Sequence, residues 1–75
     1  MLREETDFLN RARYLRCEHT VRKSVSGTGR TEVEIRIRGE GMEEVVVTGR
    51  AVKERDATRI AMMKGVLELQ DVELF

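Results

Sequence analysis

Residues 31–39, TEVEIRIRG, alternate without a break: Val33, Ile35 and Ile37 fall on one side, Glu32, Glu34, Arg36 and Arg38 on the other. A helix repeats every 3.6 residues and would scatter those three aliphatic side chains around its circumference, whereas a pleated strand collects them on one dry face. The chain is therefore committed to a sheet with one apolar side, and the remaining sequence must cover that side.

The cover is written into both ends. From Glu4 to Cys17, Phe8, Leu9, Ala12 and Leu15 recur at helical spacing, with Asp7, Arg11, Tyr14 and Glu18 opposite, which predicts a first helix. A last helix is expected from Glu54 or Asp56 to about Gln70, with Ile60, Met62, Met63, Val66, Leu67 and Leu69 covering half its circumference. That is wider than the ~100° stripe one packing surface requires. Between the helices, HTVRKSVS (19–26) reads as a strand with Val21, Lys23 and Val25 on one side. SGTGR (26–30) and GEGM (39–42) read as turns, and EEVVVTG (43–49) as a third strand. Its consecutive valines suggest a central, doubly covered position. The tail DVELF (71–75) alternates Val72 and Leu74 with two acids and is open between an edge strand and a docked Phe75. The expected architecture is α+β: an α-β-β-β-α two-layer sandwich, one domain over residues 1–75, with a three-stranded antiparallel sheet and both helices on one face. Its other face would show Arg22, Arg36 and Arg38 among Glu32 and Glu34.

Composition narrows the class. With 40% apolar and 37% charged residues the chain is neither a disordered polyelectrolyte nor a collagen-like repeat. No proline, low-complexity segment or internal repeat interrupts it. The single cysteine, Cys17, excludes an internal disulfide, and one histidine, His19, excludes a zinc set of ordinary spacing, so a reducing intracellular compartment, cytoplasmic or nuclear, is expected. No apolar run reaches membrane-spanning length, and MLREETDF does not resemble a leader, so neither a signal peptide nor a membrane partner is expected. Net charge is zero, but its distribution is uneven: residues 11–38 carry eight basic against three acidic side chains. Of the 14 basic residues 11 are arginine, whose planar fork suits phosphate and carboxylate alike and also serves surface ion networks.

The residues do not support catalysis. Cys17 and His19 lack the third group that would orient a nucleophilic pair, and no second histidine completes a metal site. GTG is a hairpin turn and too short for a nucleotide fingerprint. Glu43 and Glu44 are adjacent and point to opposite sides of a strand, which excludes a paired acid and base. No enzyme activity, cofactor, metal or small-molecule substrate is expected.

The order helix, three-stranded meander, helix resembles the double-stranded RNA-binding domain, and the resemblance spans nearly the whole chain. In that family the last helix opens on a basic cluster followed by small apolar positions; KERDATRIA (53–61) is similar, with Lys53, Arg55 and Arg59 in the place of the phosphate clamp and Ala57 and Ala61 at the small positions. Glu54 and Asp56 stand where the family carries further lysines. The first turn, which in the family reaches a minor groove, offers Thr28 and Arg30 here. The resemblance implies a nucleic-acid-binding module that takes duplex or structured RNA through phosphate contacts from Arg11, Arg13 and Arg16 on the first helix, from Arg30, and from Lys53, Arg55 and Arg59. A local similarity to Alba-type nucleic-acid-binding proteins lies in GMEEVVVTGRAV (41–52), where Gly49, Arg50, Ala51 and Val52 match a strand-to-helix step. An Alba-type chain, however, places a helix where TEVEIRIR is a strand. The alternative is a protein-interaction or homodimerisation module of the same fold, using Met62, Met63, Val66 and Leu69 on the wide stripe of the last helix.

Overall fold

A computed structural model describes residues 2–70. The elements are α1 (Arg3–Tyr14), β1 (Glu18–Val25), β2 (Thr31–Arg38), β3 (Val45–Ala51) and α2 (Glu54–Gln70). The strands form one antiparallel sheet in the order β1-β2-β3, and both helices lie on its apolar side, giving the expected α+β sandwich. The tail 71–75 falls outside the described residues.

β2 is the strand whose alternation defined the fold. Thr31, Val33, Ile35 and Ile37 are buried, and the residues between them face outward. The register runs Val25–Thr31–Ala51 at one end of the sheet and His19–Ile37–Val45 at the other. The inner face thus consists of His19, Val21, Lys23 and Val25 on β1, the four buried residues of β2, and Val45, Val47, Gly49 and Ala51 on β3.

The position expected for the third strand is corrected. β3 is an edge strand, and its valines split between faces, with Val47 buried and Val46 48% exposed on the outer side. Two short hairpin connections keep consecutive strands adjacent, so the middle strand of the sequence is the middle of the sheet whatever the valine content of its neighbours.

Two glycines set how closely the layers approach. A Cβ on Gly49 would fall onto the Ala57 carbonyl oxygen and within 2.6 Å of the Ala61 amide nitrogen, so α2 rests its backbone directly on β3. A Cβ on Gly65 would lie 2.8 Å from Cε2 of Phe8, so α2 is notched to accept that fully buried ring from α1. With Phe8 against Gly65 and Arg11 reaching the Leu69 carbonyl, the two helices run side by side in the same direction. α2 covers β3 and β2. β1 is left almost bare, with Val21 41% and Val25 71% exposed on the core side of the sheet.

α1 ends earlier than Cys17. Arg16 adopts φ 57°, its amide donates to the Arg13 carbonyl, and the Cys17 amide donates to Ala12, the paired bonds of a left-handed helix cap. His19 stands beyond the helix. It lies in β1 with its ring edge-on to Phe8, centroids 5.1 Å apart.

Candidate nucleic-acid interface

The sheet sorts the expected cations into two groups. Because Val25, Thr31 and Ala51 share one row, the turn 26–30 and the start of α2 lie at the same end of the molecule, and with them Arg30, Lys53 and Arg55. Arg13 and Arg16 close α1 at the opposite end, where Arg16 lines a shallow depression with Glu18, Arg38 and Glu40. Seven strand steps of ~3.3 Å separate the ends, roughly 23 Å.

At the hairpin end the turn is rigid. The Ser26 amide donates to the Arg30 carbonyl, the Arg30 amide to Ser26 Oγ at 3.2 Å, and the Gly29 amide to the Ser26 carbonyl. Ser26 and Thr28 hydroxyls share a hydrogen bond of 2.8 Å, and Gly29 takes φ 82°, which a glycine tolerates without strain. The backbone of Arg30 is thereby fixed while its side chain projects into solvent.

The two acids that interrupt the basic cluster are both occupied. Glu54 is paired with Lys23 of β1, which crosses the inner face to reach the first turn of α2. Asp56 is paired with Arg59 at 3.6 Å, one helical turn on. Arg30, Lys53 and Arg55 have no ion partner among the described residues, and the α2 N-terminus adds its own positive dipole end beside them. Arg59 is thereby drawn away from the free group.

Arg11 is committed elsewhere. Its Nε donates to the Leu69 carbonyl at 3.4 Å and its guanidinium lies 5.2 Å from the Tyr14 ring centroid, so it joins the helices and caps the negative end of α2. Of the four residues expected for a partner interface, Met62 and Leu69 are in the core, whereas Val66 is half-buried and Met63 is 48% exposed. The breadth of the apolar stripe on α2 is thus explained by two neighbours, sheet and α1, with Met63 and Leu67 left over at the surface.

Arg50 was not among the expected site residues but belongs to the same end. It donates to Glu32 at 2.8 Å and, with Ser26, Thr28 and Arg30, lines a groove at the base of the turn. Only the register reveals this, because it sets Glu32 opposite Arg50 across β2 and β3. The rest of the outer face is similarly neutralised, with Arg36 bound to Glu34 at 2.6 Å and to Glu44 at 3.1 Å, and Arg38 3.7 Å from Glu44. The hydrogen bond to Glu34, and then the charges of Glu34 and Glu44, push the Arg36 guanidinium further up from its ordinary value.

Cys17 contacts Met42, with Sγ 3.4 Å from Sδ, and burial pushes its thiol up from the ordinary value, which keeps it protonated and weakly nucleophilic near neutrality. Among the described residues no group of three or more His, Cys, Asp or Glu side chains is placed to hold a metal ion, and no helix is long and apolar enough to cross a membrane.

Comparison with protein-family models, with curated proteins and with solved structures returns no match. The functional reading rests on the geometry of the hairpin end.

Proposed function

We propose that the chain is a small nucleic-acid-binding module that holds duplex or structured RNA by its phosphates at the end formed by the turn 26–30 and the start of α2. What supports this is the placement of Arg30, Lys53 and Arg55 at one end of the sheet, from segments more than twenty residues apart, with the two intervening acids paired to Lys23 and Arg59. Arg30 projects from a hydrogen-bonded turn, so the ordering cost of meeting an anion falls on its side chain and not on the backbone. Arg13 and Arg16, ~23 Å away by the strand rise, supply a second and weaker set of contacts along the same nucleic acid. Arg11 and Arg59 are excluded from the principal contact because each already has a partner. Among the described residues no aromatic side chain stands at the hairpin end, which favours a backbone reader over a single-strand binder.

The test is a titration of the chain with duplex RNA, duplex DNA and single-stranded RNA at two salt concentrations. The three principal phosphate contacts predict a log–log slope of about −3 for a duplex, steeper by up to about two where Arg13 and Arg16 also engage. Lys53→Glu combined with Arg55→Glu should remove binding, with the far-ultraviolet circular dichroism and the melting temperature unchanged within a few degrees. Equal affinity in that variant would remove these residues from the site. Failure of any duplex to bind at low salt, with a dimer in sedimentation, would leave the homodimerisation alternative, for which Met63 and Leu67 are the exposed apolar residues on α2.

A further inference from the structure

We infer that the groove at the base of the turn 26–30 is a seat for a phosphomonoester, held by the unused fork of Arg50, by Arg30 and by the hydroxyl proton that Ser26 and Thr28 leave over.

The groove encloses about 230 Å³, room for a group several times the size of a water molecule, whose share of liquid volume is about 30 Å³. Donors that the fold does not use line it. Arg50 donates to Glu32 from Nε alone, at 2.8 Å, and its two terminal nitrogens have no acceptor among the described residues. A guanidinium held at Nε keeps the paired N–H groups of its far edge for a second oxyanion, so Glu32 positions Arg50 without exhausting it. Ser26 Oγ accepts the Arg30 amide at 3.2 Å and shares a single hydrogen bond of 2.8 Å with Thr28 Oγ1. Two hydroxyl protons serve that one bond, so whichever oxygen donates, the proton of the other is left over. Arg30 also lines the groove and has no ion partner among the described residues.

These donors specify the ligand. With Arg30 and Arg50 against Glu32 alone, the groove is net positive and selects an anion. The Arg50 fork takes two oxygens at once, and a carboxylate or a phosphodiester then has no further charged oxygen for the hydroxyl and for Arg30. A phosphomonoester has a third oxygen and carries close to two negative charges near neutrality, which matches two guanidiniums. The nucleic-acid reading of the hairpin end supplies one source, the terminal phosphate of a strand, and only the choice of that source rests on the reading; a free phosphomonoester is the other.

The experiment titrates the isotopically labelled full chain with inorganic phosphate at about pH 8, where it is mainly the dianion, and with dimethyl phosphate as the diester, chloride keeping the ionic strength constant. The expected result is saturable shifts of the Thr28 and Arg30 amides and of the Arg50 side-chain Nε–H with inorganic phosphate, half complete at about 1–10 mM, and none with the diester over that range. Arg50→Lys keeps a charge beside Glu32 but lacks the fork, and should weaken phosphate by roughly fivefold or more. Arg13→Gln, at the other end of the molecule, should leave it unchanged. The seat is refuted if phosphate gives no saturable shift by about 50 mM, if dimethyl phosphate binds as well, if Arg50→Lys binds as the parent does, or if Arg13→Gln weakens phosphate as much as Arg50→Lys. A second arm compares short RNA duplexes with phosphate and with hydroxyl at their 5′ ends. Tighter binding of the phosphate-ended duplex, lost in Arg50→Lys, assigns the seat to a strand end. Equal binding of the two, with inorganic phosphate still saturating the groove, keeps the seat and assigns it to a free phosphomonoester. If neither duplex binds, the RNA reading fails while the phosphate titration still upholds the seat.

Discussion

Arg16 holds a left-handed backbone conformation at the exit of α1, a position where helices usually place glycine because a Cβ there crowds the backbone. The strain costs about 1 kcal/mol. Arg16→Gly is therefore expected to stabilise the fold by about that amount, read as a raised denaturation midpoint at unchanged slope. If Arg16 also serves as a distal phosphate contact, the same change weakens duplex RNA binding and lowers the salt slope by about one. Stability and affinity moving in opposite directions would mark a residue kept for contact at the expense of backbone comfort. The cation group teaches a related lesson. Arg11, Arg30, Lys53, Arg55 and Arg59 look alike in the sequence, and only their partners separate two tethered side chains from three that have no ion partner among the described residues.

At the scale of elements, α2 approaches β3 closely at Gly49 and α1 closely at Gly65. At Gly49 the obstruction is helix backbone, which cannot rotate away. Gly49→Ala is expected to cost about 3 kcal/mol, with the melting temperature falling by more than ~10 °C. At Gly65 alanine gains up to ~1 kcal/mol of helix propensity but drives its methyl into the Phe8 ring. The ring is fully buried, so the clash prevails and the net loss is about 1–2 kcal/mol. Calorimetry of the two variants decides the order. An unchanged melting temperature for Gly49→Ala would mean that α2 does not sit directly on the strand. The alternation of β2 and the 3.6-residue spacing of Phe8, Ala12 and Leu15 made these elements readable in advance, because period and solvent exposure are local consequences of one packed face. The edge position of β3 was not readable, because a run of valines records β preference and says nothing of how many neighbours the strand has.

For the whole molecule, net charge vanishes while one end stays basic. The pairs Arg36–Glu34, Arg36–Glu44 and Arg50–Glu32 neutralise the outer sheet face, and Lys23–Glu54 ties β1 to α2. These are solvent-exposed pairs and contribute little to folding. Raising salt from 50 to 500 mM should therefore move the melting temperature by about 5 °C at most, yet eliminate the RNA binding proposed for the hairpin end. A large loss of thermal stability with salt would show that the ion pairs carry more of the fold than the core formed by Phe8, Val33, Ile35, Ile37 and Leu69.

By itself the amino-acid order determined the α-β-β-β-α sequence of elements and most of the core, since both follow from periodicity over a few neighbouring residues. It also marked where the turns fall, since Gly29 in the first and Gly41 in the second take positive φ that other residues resist. Tertiary structure alone decided which charges remain free. Lys23 reaches Glu54 across 31 residues, Glu32 meets Arg50 across 18, and Arg11 finds Leu69 across 58. Such pairings depend on strand register and helix placement, which are settled by the packing of the whole chain and leave no periodic trace in the sequence. The exposure of β1 has the same origin in part: Val21 and Val25 flank Lys23 on the inner face, and α2 lies over β2 and β3 and leaves the two valines uncovered.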